Sequence, residues 1–290
     1  MKTILLLTDF SENAAHAAET AVLLSAKLRT NLLLFNNSSI VPSVAYPGDT
    51  SLIADQLYHL EDERKKKLDE LSDRLEPIFH QLKAGERQPT IYCQLGEGDL
   101  SSNVKELVDQ KEIEFIVMGA STDSSIDHVF FGSDTMSVIR KAISPVLLIP
   151  ENSDMKKVDK IIFATDFHPG DIDALHFLIK QSKAFESEIE VVHVNVIGDK
   201  ETKDTEKEDE FKEQINQIKD SKITYRDIRG KDVIKRLTRL CKESKTDLLA
   251  MVHQKNSFLA SILTQSIAKK ALSAQKLPLM IFSSAWKEES

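Results

Sequence analysis

The chain has 290 residues, 41% of them hydrophobic and 29% charged, a composition that suits two soluble globular domains of about 150 residues each. The formal charge of −8 lies in residues 1–150, with 14 Lys plus Arg against 22 Asp plus Glu, while residues 151–290 balance at 24 against 24. An acidic half beside a neutral one leaves no electrostatic footprint for nucleic acid or an anionic membrane.

In chain order, Thr3–Leu7 reads as a buried strand, too short in its apolar run for a signal-peptide core. Asn13–Leu28 follows as a helix with Ser11 as its N-cap, then a strand over Asn31–Asn36. Leu57, Leu60, Leu68, Leu71, Leu75, Phe79 and Leu82 recur at helical spacing, with a kink or break expected at Pro77. Next come a strand at Thr90–Gln94, a Gly96/Gly98 turn, a helix at Ser101–Gln110 and a strand at Phe115–Met118. A polar loop, a helix at Ser133–Ala142 and a strand at Val146–Ile149 complete the first half.

The second half repeats this order, with strands near Lys160–Ala164, Glu188–Val194, Ile223–Ile228, Asp247–Met251 and Leu279–Phe282. Thr165-Asp166-Phe167 repeats Thr8-Asp9-Phe10 at an offset of 157, and Leu277-Pro278-Leu279 repeats Ser144-Pro145-Val146 at an offset of 133. The chain is thus a duplication whose second copy lacks 24 residues between its second and third strands. The charged stretch Asp199–Lys222 in that region reads as a solvated helix or a mobile connection. The fold class is α/β: two tandem doubly wound five-stranded parallel-sheet domains, 1–150 and 151–290, related by a pseudo-twofold through their last strands. The link Glu151–Val158 is short and polar, so the halves should pack together. Cys93 and Cys241 occupy non-equivalent places and read as reduced, half-buried thiols of a cytoplasmic protein.

Doubly wound sheets bind ligands beyond the strand ends where the winding reverses, here the loops after the first and fourth strands of each half. In the first half Gly119 leaves room for a ligand at a strand end, and Gly132-Ser133 opens a helix whose free N–H groups suit an anion. The alternative is a glycine at a tight turn and a capping serine.

Met118-Gly119, Thr122, nine residues and then Gly132-Ser133 resemble the G-x2-G-x9-G-(S/T) nucleotide loop of the universal stress protein family. Thr8-Asp9-Phe10-Ser11 and Ser144-Pro145-Val146-Leu147 are similar to that family's opening and closing segments, and the resemblance covers nearly the whole chain. It implies ATP or AMP, with Mg on the phosphates, held near the adenosine by Asp9 and the backbone around Leu7 and Thr8. It also implies Asn36 at the adenine side, Met118, Gly119 and Thr122 along the ribose and phosphates, and Gly132, Ser133 and Thr135 on phosphate. The chain departs from the family pattern at Thr122, in place of glycine, and at Asn36, in place of an apolar residue. Gly119–Thr135 carries Asp123, Asp127 and Asp134 and neither Lys nor Arg, which disfavours a bare triphosphate.

The second half lacks the motif: Val252, Lys255 and Gln265-Ser266 stand where Gly119, Thr122 and Gly132-Ser133 stand in the first. It has histidines instead. Asp166, His168 and His253 at neighbouring strand ends form a candidate zinc set, completed by water or by His193, whose counterpart is taken as Phe35. The preferred alternative is that these are polar histidines at loop entrances. No GxxxxGK(S/T), GxSxG, HExxH or dinucleotide fingerprint occurs.

The reading that follows is a stress-response protein that binds adenine nucleotide and regulates or recruits an unidentified protein partner. It is not read as an enzyme, and it engages neither nucleic acid nor membrane; a homodimer is compatible with it. The runner-up is a scaffold for a partner that holds another small ligand or a metal. An adenylate-forming enzyme would need a Ser-Gly-Gly phosphate loop that the chain does not have.

Overall fold

The computed structural model describes residues 1–39, 50–79, 89–120, 133–151, 153–197, 205–218, 220, 222–253, 277–284 and 286–288. The first half comprises β1 (Thr3–Leu7), α1 (Glu12–Leu28), β2 (Asn31–Ser38), α2 (Thr50–Phe79), β3 (Ile91–Glu97), α3 (Leu100–Gln110), β4 (Ile113–Ala120), α4 (Ser133–Lys141) and β5 (Val146–Pro150). The second comprises β6 (Lys160–Thr165), α5 (Asp171–Phe185), β7 (Glu188–Val196), α6 (Thr205–Gln217), β8 (Ile223–Gly230), α7 (Val233–Ser244), β9 (Leu248–His253) and β10 (Leu279–Ser283).

Among the described residues ten strands join one sheet in the order β3-β2-β1-β4-β5-β10-β9-β6-β7-β8. Within each half the neighbours are parallel, and the winding reverses beside β1 and β6, as the alternation of apolar runs and helical stretches predicts. The halves meet through the antiparallel pair β5–β10, with Leu148 opposite Leu279, Leu147 opposite Met280 and Val146 opposite Ile281. This pairing removes two apolar edges and is the expected joint through the last strands.

Because the central strands are covered on both faces, they are apolar throughout rather than alternating. Ile4, Leu6, Leu32, Val117, Phe163 and Val191 pack beneath α1, α2 and α5, while Leu5, Leu33, Ile116, Ile162 and Leu249 pack beneath α3, α4 and α7. Both layers run across the joint. Phe115 of β4 meets Phe177 of α5 edge-on at 6.4 Å, and Phe177 continues to Phe282 and Trp286, each at 5.5 Å. Beside this cluster the buried Glu114 of β4 accepts from Gln181 of α5 and pairs with Lys2 at 2.6 Å and Lys180 of α5 at 3.5 Å. The link between the halves is held as well: Met155 and Val158 are buried, and the His16 ring of α1 lies 2.8 Å from the Ser153 carbonyl.

Several expectations are refined. The Asp199–Lys222 stretch contains a true helix, α6, anchored by the buried Phe211 and Ile215. Most of the length difference between the halves lies here, since α2 has 30 residues and α6 has 13. Pro77 falls inside α2, two residues before its end, so the helix runs through it. Gly96 belongs to β3, and only Gly98, at φ 88°, makes the left-handed turn. The thiols are not alike: Cys93 is exposed, whereas Cys241 is buried and its pKa is pushed up to about 12 by that burial. No helix among the described residues is long and apolar enough to cross a membrane.

Continuity of the cores should make the halves one cooperative unit. Leu147→Ala in the first half should cost about 2–5 kcal/mol. Urea unfolding followed by the fluorescence of Trp286, in the second half, should shift together with backbone circular dichroism. An unshifted Trp286 transition would show that the halves unfold independently.

Candidate functional site

The end of β1 is shaped by a turn that occurs in both halves. Phe10 at φ 65° and Phe167 at φ 62° adopt the left-handed conformation, unusual for a bulky side chain. Each is held by its threonine, with the Phe10 N–H donating to Thr8 Oγ1 at 3.1 Å and the Phe167 N–H to Thr165 Oγ1 at 3.0 Å. Both rings pack on the core. The reversal places Asp9 at the mouth of a cleft, where its Oδ1 accepts the Ser11 N–H at 2.9 Å while Ser11 caps α1 by accepting from Ala14 N–H at 3.2 Å.

The cleft has a volume of about 480 Å³ and lies at the winding reversal of the first half. Leu7, Thr8 and Asp9 form one wall, Met118 and Gly119 the floor at the end of β4, and Asp134 and Thr135 of α4 the far side. Phe35 and Asn37 of β2, with Leu100 of α3, close the rest. Six of the ten residues expected for nucleotide are therefore brought together: Leu7, Thr8, Asp9, Met118, Gly119 and Thr135. Thr122 and Gly132 lie outside the described residues, and Ser133 is described only as the first residue of α4.

Asn36 is not among the lining residues. Strand alternation turns it to the opposite face, where it is buried and its amide donates to the Thr8 carbonyl at 2.8 Å. Its Oδ1 accepts from Arg64 Nε at 2.8 Å, and Arg64 also donates to the Gly96 carbonyl at 2.8 Å, so one guanidinium ties α2 to the ends of β2 and β3. Asn37, the neighbour that alternation brings to the cleft, was not singled out from sequence although period-two reasoning selects it once Phe35 is taken to face the same way. Gly119 also has a different reason. A Cβ there would stand 2.8 Å from both the carbonyl carbon and oxygen of Asn13 and 3.1 Å from the Ala14 nitrogen, so the glycine admits the start of α1 against β4.

Among the described residues the matching position of the second half is much smaller. The matching position, between Ala164, Thr165, Asp166, Val192, His193, Val194, Val233 and Leu237, holds a cavity of about 20 Å³. His193 corresponds to Asn36 rather than to Phe35, because its Nδ1 bonds the Thr165 carbonyl at 2.9 Å as Asn36 bonds that of Thr8. Its ring rests on Phe167 with centroids 4.3 Å apart. The zinc expectation is corrected here: among the described residues no group of three or more His, Cys, Asp or Glu could hold a metal ion. His168 Nδ1 accepts the Gly170 N–H at 3.0 Å, and burial together with nearby Arg140 lowers the pKa of His253.

A residue that the sequence did not single out is Asp171, at the start of α5 and wholly buried. Its Oδ2 accepts from Thr165 Oγ1 at 2.5 Å and from the His168 N–H at 3.2 Å, while Oδ1 has no hydrogen-bond partner. Burial pushes its pKa up to about 7, against hydrogen bonding from Thr165 and with a smaller push from the Asp166 charge.

With this geometry established, comparison with known proteins places the chain. The model of the universal stress protein family matches residues 1–150 and again 157–283. The chain belongs to the universal stress protein family. A universal stress protein of Methanocaldococcus jannaschii is 24% identical over 150 residues, covering 51% of this chain and 81% of that protein. The crystal structure of a universal stress protein from Archaeoglobus fulgidus superposes with a TM-score of 0.72 at 17% identity, covering 97% of this chain and 98% of that one. A functionally unknown protein of Pseudomonas aeruginosa superposes with a TM-score of 0.55 at 12% identity, covering 98% and 93%. At these identities the structural likeness speaks for the tandem fold alone.

Two outcomes test this description. Gly119→Ala should cost about 1–3 kcal/mol in denaturant unfolding, because backbone rather than a flexible side chain must move; a neutral effect would show that α1 can shift freely. Asp171 has a raised native pKa, so its stabilising contribution is complete below the unfolded value of about 3.9 and is lost as pH rises through about 7. Asp171→Asn should flatten the pH dependence of the melting temperature between those values. An unchanged profile would mean that Asp171 is ionised in the native state.

Proposed function

We propose that this universal stress protein is an adenine-nucleotide-binding regulatory or partner-binding module of the cytoplasm, with one site per chain, in residues 1–150. The observation that carries the reading is the cleft at the winding reversal. Its volume lies within the range of small-molecule sites, and its walls combine apolar Leu7, Phe35, Leu100 and Met118 with a few convergent polar groups. Asp9 and Asn37 supply carboxylate and amide groups for the hydroxyls and ring nitrogens of a nucleoside, and Thr135 stands in the first turn of α4. Residues 151–290 are read as the structural partner of the ligand-bearing half, since the corresponding cavity among the described residues measures about 20 Å³. Among the described lining residues no nucleophile is paired with a histidine or lysine base, which favours a binding role.

The second reading, a scaffold for another small ligand, is favoured by one observation: the only charged side chains among the described lining residues are the carboxylates of Asp9 and Asp134.

Mass spectrometry of ligand released from purified protein, followed by calorimetry, decides between the two. Adenine compounds should titrate one site per chain. Asp9→Ala should weaken binding about tenfold by removing an ionised hydrogen-bond acceptor, while Asp166→Ala should leave it unchanged. Two equivalent sites, or release of a compound without adenine, would overturn the proposal.

A further inference from the structure

Gly96 lies in β3, with Asn37 opposite it in β2. It does not serve the conformation of the chain, since among the described glycines only Gly98 has a positive φ. A glycine inside a strand weakens it and marks a place where another group approaches closely. Here two side chains of β2 do so. A Cβ on Gly96 would overlap Phe35 Cζ and stand 2.9 Å from Phe35 Cε2 and 2.7 Å from Asn37 Oδ1. Both residues line the cleft, and both lean across β3, away from the winding reversal beside β1.

The lean is held from several sides. Asn37 donates to the Gly98 carbonyl at 2.9 Å and accepts from Asn103 Nδ2 of α3 at 2.6 Å. Arg64 donates to the Gly96 carbonyl at 2.8 Å and to the Asn36 carbonyl at 3.2 Å, which clamps β3 against β2 at this position. Phe35 is 2% exposed and packs in one layer with Leu5, Leu33, Val104 and Leu107. Carbon atoms rest about 3.5–4.0 Å apart, so a Cβ on residue 96 would push the ring by more than about half an ångström. With the strand clamped and the helix layer filled, the open direction is into the cleft.

The second half shows these positions filled. Register places Val192, Val194 and Ile228 where the first half has Phe35, Asn37 and Gly96. Ile228 is buried, and Val192 and Val194 line a cavity of about 20 Å³, against about 480 Å³ for the cleft.

We propose that Gly96 is the positioning residue that keeps the cleft open, by receiving the Phe35 ring and the Asn37 amide that would otherwise stand where the ligand goes. Only the choice of adenosine as the probe rests on the proposed adenine-binding role.

Calorimetry with adenosine on Gly96→Ala, Phe35→Leu and the double variant, with a crystal structure of Gly96→Ala, tests the assignment. Gly96→Ala should weaken adenosine about tenfold or more while backbone circular dichroism stays unchanged. In the Phe35→Leu background the same change should cost about threefold or less, because the shorter side chain leaves room for the added methyl group. A general folding defect would weaken both backgrounds alike. In the crystal structure the Phe35 ring should stand closer to β1, in a smaller cleft. Equal losses in the two backgrounds, or an unmoved ring with adenosine binding intact, overturn the assignment. A Gly96→Ala chain that fails to fold while the double variant folds and binds again traces the clash to Phe35, whereas failure of both overturns it. If the unaltered protein binds no adenine compound, the proposed function fails, and the crystal structure alone decides the role of Gly96: a displaced ring sustains it and an unmoved ring overturns it.

Discussion

The antiparallel pairing of β5 with β10 is the contact on which the remaining architecture depends. A five-stranded domain of this type would end on an apolar strand, and at the joint Leu147 and Met280 sit opposite each other, both almost fully buried. Reversal of strand direction at that line has a geometric result. Strands of the first half run opposite to those of the second, so the carboxyl ends of β1 and β4 open at one end of the sheet and those of β6 and β9 at the other. The cleft and the corresponding position of the second half thus cannot share one ligand. Any influence of one on the other must pass through the joint core, where Phe115, Phe177 and Phe282 form a chain of edge-on contacts.

The two copies show how one backbone turn can be kept while its surroundings change. Thr8 and Thr165 hold the same left-handed phenylalanine, and Asn36 and His193 make the same bond to the threonine carbonyl. Asp99 and Asp232 cap corresponding helices. What differs is filling. Val194 and Val233 stand at the small second cavity, with His193 stacked over Phe167, whereas Asn37 and Leu100 leave the first open. The buried Asp171 belongs to this filled state, its Oδ2 accepting the His168 N–H where Asp9 Oδ1 accepts the Ser11 N–H in the first half.

Much of this was legible from residues alone. The apolar runs locate all ten strands, and the repeated Thr-Asp-Phe and proline-led segments locate the joint, because burial on both faces leaves a strong local signal. Asp9 and Met118 line the cleft because strand ends at a winding reversal follow from topology, whereas Thr135, in α4, was reached only through the family resemblance. The failures are contacts between segments distant in sequence. Nothing local in Gly119 says that the backbone of Asn13 lies where its Cβ would be. Facing was also misjudged at Asn36 and His193, since one position along a strand decides between cleft and helix layer. Asp171 follows Pro169-Gly170 in what reads as an exposed polar turn, and its burial depends on how far α5 is drawn in.

The covalent link adds one consequence. Two separate chains making this joint would part on dilution, but residues held in one polypeptide meet at a fixed effective concentration. The second half is in that sense a subunit that never dissociates. It can be altered in its own crevice, as Val252 and His193 illustrate, so long as Leu279, Met280 and Ile281 still present an apolar edge. Selection on the binding surface of the first half and selection on the pairing edge of the second are thereby uncoupled, and the fused chain tolerates divergence that a homodimer, whose every change appears twice, could not.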